Sequence, residues 1–200
     1  MPTPWKPTRA QILAAEGKTV PDVIDYDLRV LFSGINPGLY TAAVGHHFAR
    51  PGNRFWKALY EGGFTDTVLS PFDERELLKS GYGITNVVPR ATATADLLTK
   101  DEMIEGGRSL TAKVRRYRPR ILAVLGFGAY RMGFDRPKAV VGRQEEKIGN
   151  TEIWVLPNPS GLNANYQQKD LNAFFLQLKH AADSALSTDY TDSTETKIAR

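Results

Sequence analysis

The chain contains no cysteine, only 3 histidines in 200 residues, and no apolar run near the roughly 18 residues that a membrane helix requires. Without thiols there is no disulfide scaffold, no iron–sulfur ligation and no cysteine-type zinc site. Met1 to Arg9 lack the apolar stretch of a secretory signal. The expected compartment is therefore a reducing cytoplasm. What is present is ordinary globular material, 42% hydrophobic and 24% charged, in a length that suits one domain. Lys and Arg number 26 against 22 Asp and Glu, a net charge of +4. The stretch from Ser184 to Thr196 holds Asp189, Asp192 and Glu195 without one Lys or Arg, which leaves the body at +7 (4 + 3). A basic body favours an anionic partner, and nucleic acid precedes lipid because no basic amphipathic helix stands out.

Short apolar runs at Val30–Phe32, Ile84–Val88, Ile121–Leu125 and Ile153–Leu156 are β-branched, bounded by turn residues and not alternating. That is the pattern of parallel strands covered on both faces. Helix signals lie between them. A short helix fits Arg9–Glu16; Asn53 can cap Arg54–Glu61; Ser70-Pro71 opens Phe72–Lys79; Thr99 and Glu102 have capping-box spacing; Leu171, Phe174, Phe175 and Leu178 share one face of Lys169–Ala185. The fold class is α/β, a three-layer sandwich with a mainly parallel central sheet flanked by helices. Residues 1–18, punctuated by Pro2, Pro4 and Pro7, form an arm on a single domain over 19–185. The acidic Ser/Thr-rich tail, 186–200, has almost nothing to bury and is expected to be disordered.

Two segments of similar form follow the first and last runs: Gly34-Ile35-Asn36-Pro37-Gly38 and Asn158-Pro159-Ser160-Gly161-Leu162-Asn163. They stand 122 positions apart (158 − 36), yet in a parallel sheet both lie at carboxyl ends of strands, on the rim where open α/β sheets bind ligands. Downstream of the first, the loop from Gly45 to Asn53 carries Phe48 and Arg50, suited to a stacked, anionic ligand, and Phe55 and Trp56 beyond it fit a core. His46-His47 makes a poor metal site, since adjacent residues rarely converge on one ion. Gly126-Phe127-Gly128 only begins a dinucleotide fingerprint, because Arg131 stands where the third glycine belongs; a tight strand-to-helix turn fits it better. Lys113 to Arg120 holds five cations and no acid, which is either a solvated helix end or a phosphate-contact patch.

The Gly34–Leu39 segment, the Phe48 loop, Asn53-Arg54-Phe55-Trp56-Lys57 and Asn158–Asn163 closely resemble the mismatch-specific uracil/thymine-DNA glycosylases, a branch of the uracil-DNA glycosylase superfamily, over about Val20 to Ala182. The resemblance implies a monofunctional base-excision enzyme, free of metal and cofactor. It would remove uracil, and in some members thymine or damaged pyrimidines, opposite guanine. Asn36 matches the family residue that holds the attacking water; the strict uracil enzymes carry Asp there. Gly34, Ile35, Gly38, Phe48 and Asn158 would surround the flipped base. Leu162, between Gly161 and Asn163, would fill the vacated stack while those neighbours address the guanine left behind, or else Leu162 anchors its loop in the core. Asp96, on a loop of the same rim, is the candidate for proton transfer with Asn36, or a helix cap. Ser160, Lys57 and Arg50 are assigned to phosphates or to plain solvation, and Tyr40 and Thr41 lie where bulk could meet a thymine methyl. Some relatives carry Lys where this chain has Asn86. The implied partner is double-stranded DNA with a G·U or G·T mismatch, met by a monomer in the cytoplasm, on a nucleoid or in a nucleus, with downstream abasic-site enzymes as further partners. Competing readings are a non-catalytic lesion-binding protein of the same fold and a nucleotide-dependent enzyme.

Overall fold

The computed structural model describes residues 5–198, with side chains through residue 184. The short apolar runs become β1 (Val30–Gly34), β2 (Tyr82–Asn86), β3 (Ile121–Leu125) and, after a charged strand β4 (Gly142–Ile148), β5 (Thr151–Leu156). Their order in the sheet is β2-β1-β3-β5-β4, all parallel except β4, which runs antiparallel to β5. Every residue of β1, β2 and β3 is buried, which is why these sequences do not alternate.

Alternate side chains of β1 enter different cores. Val30 and Phe32 join α3 (Phe55–Glu61) and α6 (Gln168–Ile198) on one face; Leu31 joins α4 (Lys100–Tyr117) and α5 (Phe127–Gly133) on the other. The first core is aromatic: Phe32 stacks on Phe175 at 5.8 Å between centroids and meets Phe55 edge-on at 5.5 Å. Fully burying one such side chain stabilises by about 1.5–3 kcal/mol, so this cluster fixes α3 and α6 against β1. On the other face Thr99 and Glu102 complete the capping box that starts α4.

Several boundaries differ from the sequence reading, each for a local reason. β2 begins two residues early because Tyr82 and Gly83 pair with Val30 and Leu31, whereas Val87 and Val88 donate to the carbonyls of Gly34 and Ile35 beyond the strand. β4 has no apolar run at all; as an edge strand it is held by its ladder to β5 and presents charged side chains to solvent. Pro71–Ser80 is a 3₁₀ segment broken at Asp73, not a regular helix, and only Glu74 and Leu77 within it are buried. α2 (Leu39–Val44), which the sequence pattern did not mark, starts directly after the first motif. α1 (Arg9–Leu13) is shorter than expected, and the segment after it packs on α2 through Ala15, Val20, Ala42 and Ala91. α6 runs on to Ile198, so the backbone of 186–198 is helical where a disordered tail is expected. Extending an existing helix adds one hydrogen bond per residue and needs no new nucleus. Residues 199–200 of that tail lie outside the described residues.

Candidate active site

Parallel strands deliver both motifs to one rim. The loop after β1 and the loop after β5 face each other across the end of β3, where Gly126 has φ +134 and a Cβ would stand 3.1 Å from Ile35. Between them lies a cavity of about 340 Å³, within the usual size of a small-molecule site. Gly34, Ile35, Asn36, Gly38, Phe48 and Asp96 line it on one side, and Asn158, Ser160, Leu162 and Asn163 on the other, with Arg50 also at its wall. Gly161 and Lys57 do not line it. Lys57 is exposed on α3, and Gly161 sits where two loops touch, since a Cβ there would meet the Gly52 carbonyl at 2.6 Å.

The Asn36 amide is held in one orientation. Its Nδ2 donates to the Arg90 carbonyl at 3.0 Å and to Thr92 Oγ1 at 2.7 Å. Thr92, 1% exposed, spends its own proton on the Thr94 carbonyl at 2.7 Å, so its oxygen is free to accept. Both amide hydrogens are thereby engaged, and Oδ1 is left as an acceptor at the cavity. The Arg90 guanidinium is braced in turn by Glu102, whose carboxyl this hydrogen bond and the Thr99 backbone hold down at about 2. Thr92 and Arg90, rather than Asp96, are the residues that fix Asn36. Asp96 sits at the exposed rim of the same cavity, on a 3₁₀ turn over Ala95–Leu97.

Phe48 has φ +53, a left-handed conformation that is a real outlier for a bulky residue. Its neighbours hold it there. The ring stacks on Phe55 at 4.1 Å between centroids, and the preceding His47 is anchored by Glu74 Oε2, which accepts its backbone N–H at 2.7 Å. Burial pushes the His47 imidazole below its ordinary value, more than the nearby Glu74 charge raises it. The neutral ring uses Nε2–H to donate to the Pro21 carbonyl at 3.0 Å, which leaves Nδ1 to accept from Asn86 Nδ2 at 3.4 Å. The Asn86 oxygen then lies over Gly34, where a Cβ would meet it at 2.6 Å and Phe48 Cζ at 3.3 Å. Only glycine at 34 permits this approach. His46 turns elsewhere, pairing with Glu74 Oε1 at 2.9 Å, and among the described residues no three His, Asp or Glu side chains converge as a metal site would need.

The second motif is an ordered loop. Asn158 Oδ1 accepts from Ser160 N at 2.9 Å, leaving its Nδ2 as the donor at the cavity, and Ser160 Oγ accepts from Leu162 N at 3.3 Å. Asn163 is committed to the loop itself, donating to the Asn158 carbonyl at 3.0 Å and accepting from Asn165 N at 3.2 Å. Leu162 is 68% exposed at the cleft mouth and does not anchor the loop in the core. Thr41 lines the cavity and Tyr40 does not. Neither Thr92 nor Arg54 carries a functional signal in the sequence alone, and the tasks of Asn86 and His47 emerge only from their contacts. Arg54 commits four of its five guanidinium N–H donors to carbonyls of this loop. Of the five-cation run, Arg115 to Arg120 lie elsewhere, where α4 leads into β3, at the amino edge of the sheet and about 17 Å of strand away from the cleft, whereas Lys113 turns back to donate to Thr85 Oγ1 at 2.8 Å, next to Asn86. Within it Lys113 pairs with Asp22 and Arg118 with Asp27, so the solvated helix end is the better account.

The family model described as the Uracil DNA glycosylase superfamily matches residues 21–180. Among solved structures, the chain is similar to the solution NMR structure of a candidate uracil DNA glycosylase from Methanosarcina acetivorans, with 18% identity and a TM-score of 0.57, over 82% of this chain and 99% of that one. At that identity the likeness speaks for the fold.

Proposed function

The chain belongs to the uracil DNA glycosylase superfamily, and from this premise we propose that it is a monofunctional glycosylase of the mismatch-specific branch, excising uracil opposite guanine. The observation that carries the proposal is the Asn36 amide, fixed through its Nδ2 in the wall of a cavity that Phe48 also lines. To expose its glycosidic bond, a uracil must leave the duplex, which costs a few kcal/mol and least at a mismatch. Leu162 is the wedge that offsets this by filling the gap. The flipped base stacks on Phe48. The Asn86 amide offers an acceptor and a donor that match the N3–H and a carbonyl on the pyrimidine edge.

Cleavage passes through an oxocarbenium-like sugar while the C1′–N1 electron pair moves onto the base. Negative charge then grows on the base oxygens, where Asn158 Nδ2 is the positioned donor. Water held by Asn36 Oδ1 forms the new C1′–O bond. An amide does not take up the water proton, and Asp96, the carboxylate on the cavity wall, receives it. No metal or cofactor enters the sequence of steps. Arg50 and Ser160, which line the cleft, are assigned to phosphates in this reading, with the exposed Lys57 farther out on α3. With Asn163 tied into its own loop, the orphaned guanine is addressed by loop backbone near Gly161 and by Leu162.

The test is a single-turnover incubation with duplexes containing G·U, A·U and G·T and with single-stranded uracil, abasic product being revealed by alkali. Product led by G·U supports the mismatch reading; duplex binding without product on any substrate shifts it to a lesion-binding protein. Asp96→Ala is expected to slow excision from G·U about 10²-fold, the low end for a general base, and a rate within threefold of the parent removes Asp96 from the mechanism. Leu162→Ala should lower A·U excision about tenfold more than G·U excision, because only the intact pair needs much help to open. Equal losses on the two duplexes would argue against a wedge.

A further inference from the structure

Arg54 is the residue immediately before α3, half-buried beneath the loop that carries Leu162. Its guanidinium reaches four peptide carbonyls of that loop: Nε donates to Pro159 at 3.4 Å, Nη1 to Tyr166 at 2.6 Å, and Nη2 to Ser160 at 2.6 Å and Asn163 at 3.1 Å. Its backbone N–H adds a bond to the Pro159 carbonyl at 3.0 Å. All of these partners are neutral; none is a carboxylate. A planar fork of donors suits this task, because it spans acceptors several residues apart in one fixed arrangement, which an ammonium cannot. The carbonyls gathered inward come from residues on both sides of Leu162. The leucine is thereby left projecting at the cleft mouth without support from any core contact of its own.

We propose that Arg54 is a positioning residue that preforms the Pro159–Tyr166 loop around its guanidinium and so presents Leu162 to the duplex already in its working shape. The inference rests on the reading of the cleft as a glycosylase site and deepens it. Ordering a loop before binding removes that entropy loss from the encounter with DNA. Arg54 touches neither the base nor the water, so it acts only through the loop.

The experiment is a double-mutant cycle of Arg54→Ala and Leu162→Ala in single-turnover excision from the A·U duplex, where opening the pair leans most on the wedge, with hydrogen exchange of backbone amides measured on the free proteins. Arg54→Ala is expected to lower the rate at least about tenfold. The double variant should stay within about threefold of the slower single variant, since a lost strut and a lost wedge disable one device. Amides of Leu162, Asn163 and Asn165 should exchange at least about tenfold faster in Arg54→Ala, with those of β3 unchanged. Arg54→Lys, which keeps the charge without the fork, should resemble Arg54→Ala. Multiplicative losses in the double variant, unchanged loop exchange, or full recovery by Lys would each overturn the proposal. If the parent protein cleaves no uracil substrate, the glycosylase reading fails, yet the exchange measurement and the Lys variant still decide whether Arg54 holds the loop.

Discussion

Replacing Asn36 by alanine is expected to lower single-turnover excision from the G·U duplex about 10³-fold, mid-range for a positioned proton-transfer or water-holding group, with duplex binding kept within about threefold. The expectation follows from the division of labour in the amide. Its nitrogen is fully engaged by Arg90 and Thr92, so the carbonyl oxygen alone is free to order a water. Alanine removes that acceptor and leaves the Arg90 carbonyl and the Thr92 hydroxyl beside an open cavity where water can satisfy them. Stability should change little. In the proposed function, binding rests on surfaces that the substitution does not touch, namely Leu162, Arg50 and the second loop. A filter-binding or polarisation titration beside the rate measurement separates the cases: loss of binding together with cleavage would mean damage to the fold, not to the chemistry.

Gly107→Ala is expected to destabilise the protein by about 3 kcal/mol, the upper end of ordinary overpacking. In an isolated helix the same change would stabilise by about 0.8–1 kcal/mol. Tertiary packing reverses the sign. A Cβ on Gly107 would stand 1.9 Å from the carbonyl oxygen of Gly133, and one on the adjacent Gly106 would stand 2.6 Å from the Val87 carbonyl. Both obstacles are backbone, so the clash cannot be relieved by a rotamer change, and α4 has to move off α5 and the end of β2. In a chain of this size the loss corresponds to a fall in Tm of about 6–12 °C. Gly128→Ala supplies the control, because nothing lies within 4 Å of a Cβ there. That variant should melt slightly above the parent, by the helix-propensity gain of about 0.5–1 kcal/mol. Scanning calorimetry on the two variants would show opposite shifts; shifts of the same sign would mean that the close crossing of α4 and α5 is not a constraint.

The parallel strands were legible because burial on both faces leaves no polar residue in a run such as Ile121–Leu125. β4 was not legible, since an edge strand takes its stability from a ladder and can be written almost entirely in charged residues. The two motifs could be placed on one rim from topology alone, and Phe48, Asn36 and Asn158 do line the same cavity. Residues that act by holding others escaped. Thr92 looks like any threonine in a loop until its hydroxyl is found 56 positions away on the Asn36 amide. Arg54 likewise reads as a surface cation beside a helix start, and its partners lie between 105 and 112 positions downstream. Asn86 ends a strand, where side-chain direction depends on register, and a shift of one residue would turn it to the opposite core. Asn163 has a second task that its sequence position does not reveal, since its amide closes the loop while the residue also lines the cavity.

The cleft is assembled from the ends of β1 and β5, and β1 lies inside the sheet, flanked by strands that follow it by some 50 and 90 positions. Long-range parallel pairing of this kind is slow to form, because loop closure precedes the contacts that reward it. No partly folded chain that lacks β5 can hold Asn36 and Asn158 across one cavity. A newly made chain therefore has no site until residues well past 160 have left the ribosome. Recovery of cleavage in a refolding experiment would then report the docking of the last central strand.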